Sequence, residues 1–189
     1  MEKEISIPIR NAYRIAIALS PVIILLFGIP YFICWHETLS ARFLHLYRII
    51  INEGRYIVLL SYFSKAMIAL LAGIFLHEGL HGIGWVFFAE NGIHSLKFGF
   101  TSPEMAPYAH CKDPLPVYAY RIGILLPGLI LGILPAVAGI VTGRFLWLLF
   151  GLFFTWAASG DFIMLWLIRK LDNRTKIIDH PGKLGCIII

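Results

Sequence analysis

Between Ala66 and Ala89 the chain runs AMIALLAGIFLHEGLHGIGWVFFA, twenty-four residues with a single charged side chain, Glu78. A run of that length and character crosses the ~30 Å hydrocarbon layer of a bilayer as a helix, which needs ~20 apolar residues. The composition agrees: 59% of the 189 residues are hydrophobic and 14% are charged. Soluble domains sit near ~45–50% and ~25%. The expected fold class is therefore an all-α membrane protein, one domain over residues 1–189, with four spans at 12–33, 66–89, 121–141 and 145–168. Pro21 and Pro30 should bend the first span, and Pro127 and Pro135 should break the third.

The segments between the spans carry their own signals. Residues 39–52 mix arginines with apolar residues and fit an amphipathic interfacial helix ended by Gly54. The second span can start near 56 or near 66. Asn91-Gly92 is a turn signal ahead of a short strand over 93–100, followed by a proline-rich loop. The tail 177–189 reads as strand, Pro-Gly turn, strand, giving a small β element. Cys34, Cys111 and Cys186 form no CxxC and read as isolated buried thiols. With the N-terminus inside, eleven Lys and Arg residues fall on inner segments and five on outer ones. That bias favours both termini in the cytoplasm of an integral membrane protein. The net charge of +5 is accounted for in this way. No basic run with interleaved aromatics is present, so nucleic acid is not an expected partner.

Ionisable residues at bilayer depth are costly and mark function. His77-Glu78-Gly79-Leu80-His81 is H-E-x-x-H. On a helix, side chains at i and i+4 share a face, with Cβ atoms about 5–6 Å apart. His77 and His81 can thus hold one Zn²⁺ from the same side, with Glu78 placed as general base for the hydrolysis of a carbonyl compound. At this chain's own His and Glu frequencies, an accidental match arises roughly once in a hundred such sequences.

Catalytic zinc usually takes a third protein ligand. Position 87 is phenylalanine, so HExxHxxGxxH is not completed. Asp161, Glu90 and Glu104 are the candidates, and depth favours Asp161. At ~1.5 Å per residue it lies about 7 Å inward of the midplane of its span, near the motif at about 2–5 Å. Small residues around it, Ala157-Ala158-Ser159-Gly160, and Gly73, Gly79, Gly82 and Gly84 on the motif helix should let the two helices approach. The alternative for Asp161 is an ion pair with Arg169 or Lys170. His94, His110 and His180 fall on the same side as the motif. Asp113 and Asp179 read as turn residues.

An HExxH in one membrane helix with an aspartate on a later one resembles site-2 proteases, intramembrane zinc metalloproteases. Here the aspartate lies in Ser159-Gly160-Asp161-Phe162. A closer resemblance is to the zincin peptidase family of small bacterial membrane proteins. It is carried by His77–Gly82, Lys97-Phe98-Gly99-Phe100, Ser159-Gly160-Asp161, and Asp179-His180-Pro181 with Gly185. The resemblance implies a bacterial plasma membrane location and a peptide or membrane-protein substrate. It also implies substrate held as an added strand, with Lys97, Phe98, Gly99 and Phe100 as the candidate edge. The C-terminal Cys186–Ile189 could occupy that edge at rest. Two other functions are compatible with the same residues: a non-catalytic metal-binding membrane protein, and a scaffold that keeps the motif.

Overall fold

The computed structural model describes residues 3–52, 54–100, 107–180 and 183–189. Strand β1 (Lys3–Ile7) leads into helix α1 (Ile9–Tyr47), which continues through a π-helical turn at Arg48–Asn52. No separate interfacial helix forms. The apolar residues of 39–52 extend α1, and the chain reverses only at Gly54, whose φ of 64° is open to glycine at little cost. Helix α2 (Tyr56–Val86) begins at the earlier of the two expected starts.

After α2, Gly92–Ser95 forms a 3₁₀ turn, so the expected strand is shortened to β2 (Leu96–Phe100). It pairs with β3 (Pro107–Cys111) as an antiparallel hairpin. A two-residue strand β4 (Leu115–Pro116) precedes α3 (Val117–Pro127). A π-helical segment, Gly128–Ile133, joins α3 to α4 (Leu134–Thr142). The prolines expected to break this span instead bracket a wider helical turn. Such turns re-route the hydrogen bonds that a proline cannot make. Then come α5 (Phe145–Ala157) and α6 (Ser159–Leu167), bent by 43° at Ala158. The chain ends in the hairpin β5 (Lys176–Asp179) and β6 (Leu184–Ile188).

Among the described residues, α1, α2 and the α3–α4 unit are each long and apolar enough to cross a membrane, and the bent α5–α6 pair makes a fourth if counted as one span. Their outward faces are apolar, as Leu26, Ile33, Ile68 and Phe75 show, all largely exposed.

The N- and C-terminal strands share one sheet, in the order β1-β6-β5-β4 and antiparallel throughout. Sequence patterning anticipated the β5–β6 hairpin but not its neighbours. The sheet also excludes the resting-state role suggested for the tail, because β6 is flanked by β1 and β5 and does not reach β2.

Two apolar cores hold the helices. One, around Trp85, Val117, Tyr120, Met164 and Ile177, lies at the sheet end. The other, around Phe27, Tyr31, Ala136 and Leu148, lies towards the opposite end. There Tyr31 Oη (3.0 Å) and Arg42 (3.0 Å) donate to Gly143 O, and Trp35 Nε1 donates to Ile140 O (2.7 Å). These bonds tie α1 to the α4–α5 turn. Cys111 and Cys186 are buried as expected, but Cys34 faces outward from α1. Burial raises both buried thiols, Cys186 to about 11.

Candidate metal centre

His77 and His81 sit near the C-terminal end of α2, one turn apart, with ring centroids 5.0 Å from each other. Asp161 lies in the first turn of α6. His77 Nε2 is 3.2 Å from Asp161 Oδ2, and His81 Nε2 is 3.4 Å from Asp161 Oδ1. The three side chains form a group whose ligand-type atoms all lie within 4.8 Å of one another.

Asp161 reaches the histidines by a route the sequence did not show. A continuous helix over 145–168 was expected, with Asp161 in its interior. The chain instead breaks at Ala158, and α6 starts afresh with Asp161 near its N-terminus, where a carboxylate is favoured by the helix dipole. The expected close approach of α2 to this segment holds at Gly73, where a Cβ would lie 2.2 Å from the Phe154 ring of α5, but not at every small residue. A Cβ on Gly84 would lie 2.4 Å from Gly123 Cα, so this contact is with α3. Gly79 and Gly160 have open space around the position of a Cβ.

The approach of α2 to α3 has a direct consequence for His81. Gly123 O lies 3.0 Å from His81 Nδ1. That bond leaves Nε2 as the nitrogen available to a ligand, the usual way an imidazole is oriented for metal. His81 is 6% exposed, and its ring stacks on Trp85 at 5.2 Å. Trp85 in turn stacks on Tyr120 at 5.4 Å and donates to Tyr120 O.

The donor set suits zinc. Two imidazole nitrogens and one carboxylate leave a fourth position open, the pattern of catalytic rather than structural sites. For ~2.0–2.1 Å bonds in a tetrahedron, neighbouring ligand atoms stand about 3.3 Å apart, close to the two spacings found here. Among the described residues, Asp161 Oδ2 and His77 Nδ1 are buried with no hydrogen-bond partner. Orphaned polar atoms are expensive in a dry interior, and an ion at this point would satisfy the carboxylate.

Glu78 is half-buried beside the group, and the backbone N–H of Ala109 donates to its carboxyl. The hairpin register explains why that N–H is free to do so. Lys112 N donates to Ser95 O at 2.8 Å, so alternate pairs along the ladder, Lys97 with His110 and Gly99 with Tyr108, are the hydrogen-bonded ones. Ala109 belongs to the intervening pair with Phe98, and its N–H and C=O point outward, away from β2. The edge turned towards Glu78 is therefore that of β3. The expected edge residues Lys97, Phe98, Gly99 and Phe100 lie on β2; Lys97 borders the cavity beside Glu78, and Phe98, Gly99 and Phe100 line a smaller pocket together with Glu78. The outer side of β2 carries no strand among the described residues.

A cavity of about 1030 Å³ spans this region, walled by the start of α1, by α2, β3 and α6, and by the C-terminal hairpin. His110 and His180 reach it, but His94 does not. Glu90 is out on the surface, paired with Lys176 at 3.3 Å, so it is not a third ligand. Glu104 lies outside the described residues. Arg169 does not pair with Asp161; its guanidinium lies 3.8 Å over the Trp166 ring. Asp113 is a turn residue as expected, accepting from Ser95 Oγ and Asn91 N. Its carboxyl is held below the usual range, first by the Ser95 bond.

Asp179 differs from that expectation. It lies on β5, not in a turn, and takes hydrogen bonds from Tyr120 Oη and from His110 Nδ1, the latter at 2.9 Å. Tyr120, Trp85 and Gly123 were not singled out from sequence. Each reads there as part of an apolar helix, and only the fold brings them to the cavity.

No curated protein and no solved structure matches the chain. A family model does, over residues 70–175, a stretch that contains His77, Glu78, His81 and Asp161. With that match covering more than half its length, the chain belongs to the family described as "Putative zincin peptidase".

Proposed function

We propose that this protein is a membrane-embedded zinc metallopeptidase. His77, His81 and Asp161 hold the metal, Glu78 is the general base, and the reaction takes place in the cytoplasmic half of the bilayer. The observation that carries the reading is the convergence of the three ligand-type side chains from α2 and α6 on a point beside Glu78. Zinc bound there would polarise a carbonyl and bring the pKa of water to about 7.

The chain's own residues supply the rest. Glu78 takes the proton from the attacking water and passes it to the leaving amine. The Ala109 N–H orients the Glu78 carboxyl. The outward C=O of Ala109 offers an unwound peptide a place to pair as an added strand along β3, within reach of that carboxyl. Lys97–Phe100 on β2 then back this strand rather than bind substrate by their own edge. The cavity walls are mainly apolar and suit an apolar peptide.

The orientation rests on charge. Both termini meet in one sheet at the metal end of the molecule, and the Lys and Arg bias supports a cytoplasmic side for that end.

The test is hydrolysis of a quenched fluorescent library of apolar peptides by detergent-purified, zinc-loaded protein. Cleavage that is lost on chelation, restored by zinc and absent in Glu78→Gln supports the reading. A scaffold would instead give no cleavage and its cellular role would survive Glu78→Gln, whereas a metal-binding protein that uses Glu78 as a ligand would give no cleavage and lose metal in that variant.

A further inference from the structure

The cavity contains a second histidine–aspartate pair, which the metal centre does not use. His110 is on β3, adjacent in sequence to the Ala109 whose N–H binds Glu78. Its Cα is thus about 3.8 Å from that of Ala109. The Nδ1 of His110 lies against Asp179 Oδ2, and Asp179 Oδ1 accepts from Tyr120 Oη. Both carboxylate oxygens are committed, so the imidazole is held in one orientation, and its proton on Nδ1 is fixed by an acceptor that has no proton to give. The side chain of His110 is 30% exposed and borders the cavity. No described group is recorded as a partner of Nε2.

The same frame links this pair to the metal centre. Tyr120 stacks on Trp85, and Trp85 stacks on His81. Asp179 comes from the C-terminal hairpin, beyond the stretch matched by the family model. The β1-β6-β5-β4 sheet thereby gains a purpose, since β5 carries Asp179 to the back of His110.

We propose that His110, held by Asp179 and Tyr120, donates a hydrogen bond from Nε2–H to the substrate carbonyl oxygen as that oxygen becomes anionic. The inference rests on the peptidase reading. His110 gives up no proton in the reaction. In the hydrolysis, a bond forms between the water oxygen and the carbonyl carbon, the C–N bond breaks, and the water proton travels through Glu78 to the amine. Asp179 holds the His110 ring in place and is a positioning residue, as is Tyr120. Fixed donors aimed at a developing oxyanion in a water-poor site give large transition-state effects.

A tie between β3 and β5 would by itself explain the His110–Asp179 bond, so the test must separate the two roles. The probes are a Phe–Leu phosphonamidate dipeptide, which carries a tetrahedral anionic centre, and the matching amide. Binding of each is measured by calorimetry on full-length, zinc-loaded protein, with the amide measured in a Glu78→Gln background to prevent turnover. We expect His110→Gln to bind the phosphonamidate at least tenfold more weakly, with amide affinity and zinc content unchanged. Asp179→Asn and Tyr120→Phe should shift the ratio of the two affinities in the same direction by about threefold or more, a change that loss of a strand tie alone would not produce. An unchanged ratio in all three variants would overturn the role of His110 and leave the peptidase reading standing. No phosphonamidate binding by the wild-type protein would overturn the peptidase reading, and this inference with it.

Discussion

Two histidine–aspartate clusters face one cavity, and they differ in how their polar atoms are satisfied. In the first, His77, His81 and Asp161 converge while Asp161 Oδ2 and His77 Nδ1 stay buried without a hydrogen bond. In the second, both oxygens of Asp179 are used, by Tyr120 and His110. A cluster with an orphaned carboxylate oxygen is built around something that the polypeptide does not provide. A cluster with satisfied bonds is built to aim the one atom it leaves over, here His110 Nε2. The first arrangement suits an ion and the second a positioned donor.

The comparison can be broken most decisively at Glu78, which lies beside the first cluster and takes the N–H of Ala109, next to His110 in sequence. Glu78→Gln should lower peptide hydrolysis by about 10²–10⁴-fold, the usual contribution of a general base, while zinc stays bound. Parallel turnover and metal assays check this, and loss of zinc in the variant would make Glu78 a ligand.

The next effect belongs to the contact that orients His81. A Cβ on Gly123 would lie 2.0 Å from Trp85 Nε1. Gly123→Ala should therefore displace Trp85, disturb the His81–Gly123 bond and weaken zinc binding about tenfold, as loss of a supporting bond to a ligand does. Thermal unfolding in detergent should show a destabilisation of about 1–3 kcal/mol for the overpacking. Wild-type zinc affinity in this variant would show that the orientation of His81 does not depend on α3. The second cluster should respond differently. Asp179→Asn leaves zinc content at the wild-type level, whereas Asp161→Asn lowers it.

The smallest effect lies outside both clusters. The carboxyl of Asp113 is depressed by its bonds to Ser95 and Asn91. Its folded-state pKa lies below the unfolded value, so its contribution to stability is present at neutral pH and is lost as the pH falls through the folded value. Asp113→Asn should flatten the acid limb of a stability–pH curve and leave the neutral region nearly unchanged. An unaltered acid limb would remove Asp113 from the account.

How much of this was legible in the sequence depended on the range of the interaction. The HExxH face needs only the 3.6-residue period of one helix, so His77, Glu78 and His81 could be read directly. Asp161 was reachable by matching depths along two spans, although the helix was wrongly taken as continuous through Ala158. The β5–β6 hairpin was visible because the dipeptide Pro-Gly, a turn signal in sequence, separates two apolar runs. The pairing of β1 with β6 was not, because register between strands some 180 residues apart leaves no local trace. The same holds for Asp179. Its role comes from Tyr120 and His110, each on a different element. The nearness of the β3 edge to Glu78 was missed for a related reason. Which strand of a hairpin faces a helix is set by packing, and β3 follows a proline-rich stretch that has no strand signature of its own.

The most direct test of the central claim is zinc content by elemental mass spectrometry on mildly purified full-length protein, comparing wild type with His81→Ala, Asp161→Ala and Glu78→Gln. The account predicts one zinc per chain in the wild type and in Glu78→Gln, and loss of the metal in His81→Ala and Asp161→Ala. A wild-type protein that takes up no zinc even after readdition, or an Asp161→Ala variant that retains it, would contradict the account.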